Sequence, residues 1–319
     1  LTGPQEESRG RIVTKDEVIG DLVARLTTEL GRLDPRLLAD HPLEQYMSAL
    51  HALPSVAACT ELGGDIPRWC DAIRQRIGDW GMECFHKLLL LRLILESTAR
   101  LDSTPLPPSI RALYRENFAR LVRNIGLGAD PPGFYLHPSF AKELALSTMR
   151  LIPCGVLKAH RHGISRRVLL TLRPASLLRV VRVLTWEVGG FRPLYETHLD
   201  SRDAQAMLDF RREGLRSSYR RLAELLQVNP DVKGVFGFSW LNDPQLDGVS
   251  PNLSFVREVS AEVGGVCFHV GVCDAAGVRD ATYMSPVRKK LADEGKYVPK
   301  NVLIVVPRAR LLAWAARKA

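Results

Sequence analysis

The sequence predicts an α+β / α/β protein: a helical N-terminal region followed by a mixed α/β sheet domain. Three observations carry this. Helical periodicity runs through about residue 125, and a Gly- and Pro-dense stretch, "GLGADPPGFYLHP", follows at 126–138. Beyond it come short segments rich in Val, Phe and Ile, separated by helical patterns, as in a sheet with crossovers. The expected organisation is a helical region 1–127, a linker 128–138 and a functional α/β domain 139–319.

The elements follow in order. "TKDE" at 14–17 has capping-box spacing, Thr14 to Glu17, ahead of an apolar-periodic run. A second helix covers "PLEQYMSALHAL". A third, long and mostly buried, starts at Pro67, a residue suited to a first turn. Gly78 and Gly81 are positions where it can divide or kink. A fourth is "IRALYRENFARLVRNI". Strands are expected in "MRLIPCGVLKAH", "RPLYETHLD", "VKGVFGFSW", "GVCFHVGV" and "NVLIVVPR". One long amphipathic helix is expected over 201–227. Two shorter ones begin at Ser250-Pro251 and Ser285-Pro286, each a cap followed by a first-turn proline.

Composition sets the class. The chain has 319 residues, 46% hydrophobic and 25% charged, as in a soluble globular protein. Its longest apolar run, "LLLLRLIL" at 88–95, is too short to span a membrane and reads as a buried helix. No signal-peptide pattern is visible, and the six cysteines show no C-x-x-C or zinc spacing, so reduced core thiols and a cytoplasmic location are expected. The net charge is +9, with eight Lys or Arg and no acid between Leu144 and Trp186. That segment suits a polyanion, or is simply a solvated basic face.

Candidate chemistry concentrates in "LYETHLD". On a strand, Leu194, Glu196, His198 and Asp200 share one face, and Tyr195, Thr197 and Leu199 the other, packed one. An imidazole flanked by carboxylates is a general base, His198, with Glu196 or Asp200 orienting it. The three could also contribute to a metal site, although side chains two apart on a strand stand about 7 Å apart. The plainer reading is a polar strand face. Ser239 closes the next strand, and Asn242 and Asp243 lie in the turn just beyond its carboxyl end, where open α/β sheets bind ligands. Ser239 has no G-x-S-x-G elbow, so a hydrolase triad is not indicated. His160 and His162, in "HRHG", form a basic tip after a strand. His269 and Cys273 have a spacing that resembles the haem-attachment pattern of certain haem-dependent aromatic hydroxylases. On a strand they would share one face as core residues.

Residues 190–272 also resemble the core of GNAT-type acyltransferases. In "RREGLR", Arg211, Gly214 and Arg216 match the spacing of that family's phosphate-binding loop, and Asn252 stands at its later Asn position. The resemblance implies a GNAT-like fold with a helix start that binds the pyrophosphate of an acyl-CoA, where backbone N–H groups and Arg211, Arg212 and Arg216 favour phosphate. It implies transfer of an acyl group from CoA or a carrier protein to an amine on a small-molecule acceptor. His198 would take the amine proton, and Tyr283 or Tyr297 would protonate the leaving thiolate. Two alternatives stand beside it: a basic module binding nucleic acid or another polyanion, and a metal- or haem-dependent oxygenase. The helical half could serve as a homodimer surface.

Overall fold

A computed structural model describes residues 15–54, 56–170, 172, 174–191, 193–199 and 207–317. Thr14 and Asp200, two residues of the sequence argument, lie outside them. The chain forms two compact units. The first comprises 1–53, 62–100 and 118–148; the second comprises 54–61, 101–117 and 149–319. The stretch 128–138 falls within the first unit.

The first unit is helical. Helix α1 (Lys15–Leu33) buries Ile19, Leu22, Leu26 and Leu30, the three-and-four spacing that gives one apolar stripe. Helix α2 (Leu43–His51) buries Tyr46 and Leu50. Helix α3 (Ile66–Leu101) breaks at Gly78, whose φ of 69° is the left-handed conformation that glycine adopts without strain. Its "LLLLRLIL" run is buried, with Arg92 turned out toward Glu44. The part of helix α4 (Pro108–Leu127) from Phe118 onward and helix α5 (Phe140–Ser147) complete the set.

The second unit is built on a six-stranded sheet: β1 (Leu151–Pro153), β2 (Leu157–His162), β3 (Leu194–Leu199), β4 (Gly234–Ser239), β5 (Val266–Val272) and β6 (Lys300–Pro307). Their order is β1-β2-β3-β4-β6-β5; β3 and β4 are parallel and every other neighbouring pair is antiparallel. The segment 149–160, expected as one strand, is a hairpin. Gly155 turns with φ 101°, and Cys154 N donates to the Leu157 carbonyl at 2.8 Å.

Helices cover both faces. Leu194, Phe236, Phe268, Leu303 and Val305 form one core with Val180, Val183 and Leu184, from helix α6 (Pro174–Arg182) and the wide turn that continues it to Val188. By alternation Tyr195, Val235, Ile304 and Val306 point the other way. All four are buried, on the side of the apolar stripes of α7 (Arg212–Val228), α8 (Ser254–Glu262) and α11 (Arg308–Arg317). Helices α9 (Ala275–Tyr283) and α10 (Pro286–Asp293) connect β5 to β6. The expected Ser-Pro start is present in α10, where Ser285 Oγ accepts from Arg288 N at 3.2 Å. At Ser250-Pro251 a single tight turn intervenes, and α8 begins at Ser254.

Candidate active site

In chain order α7 lies between β3 and β4, which are parallel; residues 200–206, between β3 and α7, lie outside the described residues. The helix starts later than its periodicity suggests. Arg211 is extended (φ −145°, ψ 171°) and α7 begins at Arg212, so "RREGLR" opens this helix; of the helix expected over 201–227, residues 201–206 lie outside the described residues. Gly214 belongs to its first turn, where a side chain would collide with the Asp209 carbonyl. The three arginines meet acids: Arg211 lies 3.7 Å from Asp209, Arg212 pairs with Glu258, and Arg216 reaches both Glu213 and, at 2.7 Å, Glu262.

The β3–β4 ladder has only two residue pairs, Tyr195–Val235 and Glu196–Phe236, although the strands continue to Leu199 and Ser239. Beyond it the Thr197 hydroxyl donates to the Phe236 carbonyl at 3.2 Å. Among the described residues the backbone ladder between these two parallel strands therefore stops short of their carboxyl ends, the end at which sheets of this kind hold ligands.

Glu196 and His198 share a face with Lys158, His160 and His162, because β2 pairs His160 with Glu196 and Lys158 with His198. His160 Nδ1 lies 3.0 Å from His198 Nε2, and the rings stack at 5.0 Å and 18°. His160 Nε2 is 3.6 Å from Glu196 Oε2, and His198 Nε2 is 3.9 Å from Glu196 Oε1. The segment 56–61 joins this face. Cys59 Sγ is 3.8 Å from His198 Nε2, and the Val56 carbonyl accepts from His162 Nδ1 at 2.6 Å. Arg150 donates to the carbonyls of Ala58 and Glu61 at 3.4 and 3.2 Å. Glu196 and His198 keep 20% and 26% of their side-chain surface, so this part of the face is partly enclosed, and Leu194 is core.

Burial sets the protonation of this group. It holds the His160 imidazole down to about 3, with the charges of His198, His162 and Arg150 adding to the effect. It also raises the Glu196 carboxyl, against a smaller opposite pull from His162. A neutral imidazole beside a second imidazole and a carboxylate can accept, hold or pass a proton, and the same atoms can ligate a metal.

The remaining sequence candidates are dispersed. Ser239 is occupied as a cap, its hydroxyl accepting from Leu241 N at 3.1 Å. Asn252 is exposed in the turn before α8. Tyr283 is exposed at the end of α9, whereas Tyr297 is buried and its hydroxyl has no hydrogen-bond partner. Asp243 is buried, accepting from Gln245 N and Lys300 N. His160 and His162 are not a loop tip but members of β2. A bulge between His269 and Gly271 breaks the alternation expected of β5. It leaves His269 exposed, while Cys273 is buried 3.3 Å from Asn301 Oδ1. In the basic segment, Arg161 pairs with Asp231, Lys158 is buried, and Arg179 and Arg182 lie over Phe268 and Trp186.

Cys59 and His160 are the members of the cluster that sequence reasoning missed as a site. Cys59 stands 139 positions from His198, and no local pattern joins them. His160 and His162 carried a usable signal, since residues two apart on a strand share a face.

No protein-family model matches the chain, and no curated protein matches it. Solved structures do. An acyltransferase in complex with CoA and 10C-teicoplanin is similar over 96% of this chain and 92% of that one, with 12% identity and a TM-score of 0.53. An acyltransferase variant in complex with octanoyl-CoA gives the same figures. An acyltransferase in complex with decanoyl-CoA and teicoplanin has 12% identity and a TM-score of 0.52 over the same shares. The chain has an acyltransferase-like α+β fold.

Proposed function

We propose that this protein transfers an acyl group from CoA, or from a carrier-bound thioester, to an amine on a small-molecule acceptor, as a GNAT-like enzyme. The observation that supports the reading is the position of "RREGLR": α7 opens at Arg212, between two parallel strands in chain order, β3 and β4, whose backbone ladder stops short of their carboxyl ends. A helix start with unbonded N–H groups and three arginines suits a pyrophosphate. The donors bound to the structurally similar acyltransferases, CoA and acyl-CoA, fit the same chemistry. Among the described residues, no helix is long and apolar enough to cross a membrane.

The reaction divides among the residues in this way. Arg211, Arg212 and Arg216 hold the donor phosphates, exchanging their carboxylate partners for phosphate oxygens. The peptide groups of β3 and β4 beyond their shared ladder can bond an extended thioester arm as an added strand does. His198 takes a proton from the acceptor nitrogen as it attacks the thioester carbonyl, and Glu196 stabilises the imidazolium. Asp200, two positions on from His198 in the sequence and outside the described residues, is a second carboxylate for that role. Collapse of the tetrahedral intermediate breaks the carbon–sulfur bond, and the thiolate takes a proton from a phenol. Tyr297 keeps its proton for this step, because burial pushes its hydroxyl up to about 12. Tyr283 and Ser239 are the other candidate donors, and Asn252 a donor-binding contact. The intramolecular contacts of Lys158, Arg161, Arg179 and Arg182 support this reading over a polyanion-binding module.

Calorimetric titration with CoA and acetyl-CoA tests the proposal. Saturable heat at micromolar ligand is expected; no heat at high micromolar concentration overturns it.

A further inference from the structure

We propose that Cys59, His160 and His198 form a site for a divalent d-block cation of the zinc class, with Glu196 behind His160, and that filling this site stops acyl transfer. The site stands on geometry alone; its inhibitory effect rests on the acyl-transfer reading.

The donor atoms of the three residues all lie within 4.8 Å of one another. Cys59 Sγ is 3.8 Å and His160 Nδ1 is 3.0 Å from His198 Nε2. A tetrahedral ion with zinc's bond lengths holds two nitrogens about 3.3 Å apart and a nitrogen and sulfur about 3.6 Å apart. On these two edges shifts of a few tenths of an ångström seat it, and the third edge, Cys59 to His160, is within 4.8 Å. One sulfur and two imidazoles suit zinc and not the oxygen-seeking calcium or magnesium.

The surroundings supply what a bare cluster lacks. The His160 side chain is 3% exposed, and its Nε2 is buried with no hydrogen-bond partner. With Nδ1 on the ion, that nitrogen carries a proton toward Glu196 Oε2, 3.6 Å away, the carboxylate behind a ligating histidine that fixes tautomer and ring. Both histidines stand on neighbouring antiparallel strands, and the Cys59 segment is held by Arg150 and by the His162–Val56 bond. The thiolate and Glu196 offset the two charges of the ion; Lys158 and Arg150, also nearby, add positive charge. Binding releases the Cys59 thiol proton to water. It also occupies the His198 lone pair that would take the acceptor's proton.

Reduced, chelator-treated protein is titrated with Zn²⁺ against a chromophoric chelator, and separately with Co²⁺. One equivalent is expected, with a thiolate-to-cobalt charge-transfer band and tetrahedral d–d bands. Cys59→Ser should remove the charge-transfer band and weaken Zn²⁺ by more than the roughly 10- to 100-fold that losing a partner behind a ligand costs, whereas Cys84→Ser should change neither. Should Cys59→Ser not fold, His198→Ala should likewise lower cobalt binding. Failure of the folded protein to bind micromolar Zn²⁺, or a cobalt spectrum unaltered by Cys59→Ser, overturns the site. Full transfer activity with one Zn²⁺ bound overturns the inhibition. Metal binding in a protein that takes no CoA overturns the acyl-transfer reading and leaves the site standing.

Discussion

The Asp209 carbonyl occupies the place where a side chain on Gly214 would begin: a Cβ there would lie 2.0 Å from that oxygen and 3.1 Å from Val156 Cγ2. The chain entering α7 thus folds over the helix's own first turn, and Arg211 N donates to the same carbonyl at 2.7 Å. Close approach, and not a left-handed backbone, requires glycine here. Gly214→Ala must push the entering chain aside. It should lower stability by about 1–3 kcal/mol, the usual cost of overpacking, and weaken CoA at least tenfold. Denaturant unfolding and calorimetry on the same variant check both, and an alanine that alters neither would contradict the proposed phosphate site.

The arginines at this helix start are paired with acids, and that gives their substitutions opposite signs. Arg211→Ala removes a mostly exposed cation and should weaken CoA about tenfold, or roughly 1.4 kcal/mol. Glu213→Gln, which frees one branch of Arg216, should tighten it. Both effects should shrink at high salt. A phosphate-free pantetheine thioester should bind both variants as it binds the wild type. Equal losses for CoA and for the phosphate-free thioester would place the arginines elsewhere in the reaction.

His198→Ala should lower kcat by about 10²–10⁴-fold in chelator-treated enzyme, the range of a lost general base, with KM for the donor little changed. Glu196→Gln should cost less, since it orients the imidazole and does not itself take the proton. Steady-state rates for the two variants separate these roles. A change confined to KM would make His198 a binding residue.

How far the sequence spoke differs between elements. The apolar run "VLIVV" marks β6, and the apolar run at 88–95 marks a buried helix, because in each the pattern is the packing itself. The start of α7 was hidden. "RDAQAMLDF" keeps a helical period, yet Arg211 is extended and the regular helix begins one residue later, a break made by the close contact of Asp209 and Gly214. The β1–β2 hairpin was likewise concealed, since three- and six-residue strands around Gly155 read as one apolar run. Cys59 meets His198 through tertiary structure alone, across 139 positions, where no spacing rule reaches.

His86, in the helical unit, gives a prediction about pH that is independent of any ligand. It lines a cavity of about 200 Å³ with Cys70, Met82, Tyr135 and Phe140. Its Nδ1 donates to the Tyr135 carbonyl at 2.6 Å and its Nε2 faces Cys70 Sγ at 3.6 Å. Burial holds the imidazole down to about 4, and the bond to the carbonyl only partly offsets this. The folded state therefore resists a proton that the unfolded chain accepts near 6.5. Above that pH both states are neutral and stability is unaffected. As pH falls from about 6.5 to about 4 the unfolded chain gains the proton first, and stability drops by up to about 3 kcal/mol. His86→Gln keeps an amide donor for the Tyr135 carbonyl without titrating. Denaturant unfolding at pH 7 and pH 5 should show a loss of about 2 kcal/mol in the wild type that is absent from the variant. Equal losses in both proteins would assign the acid sensitivity to other groups.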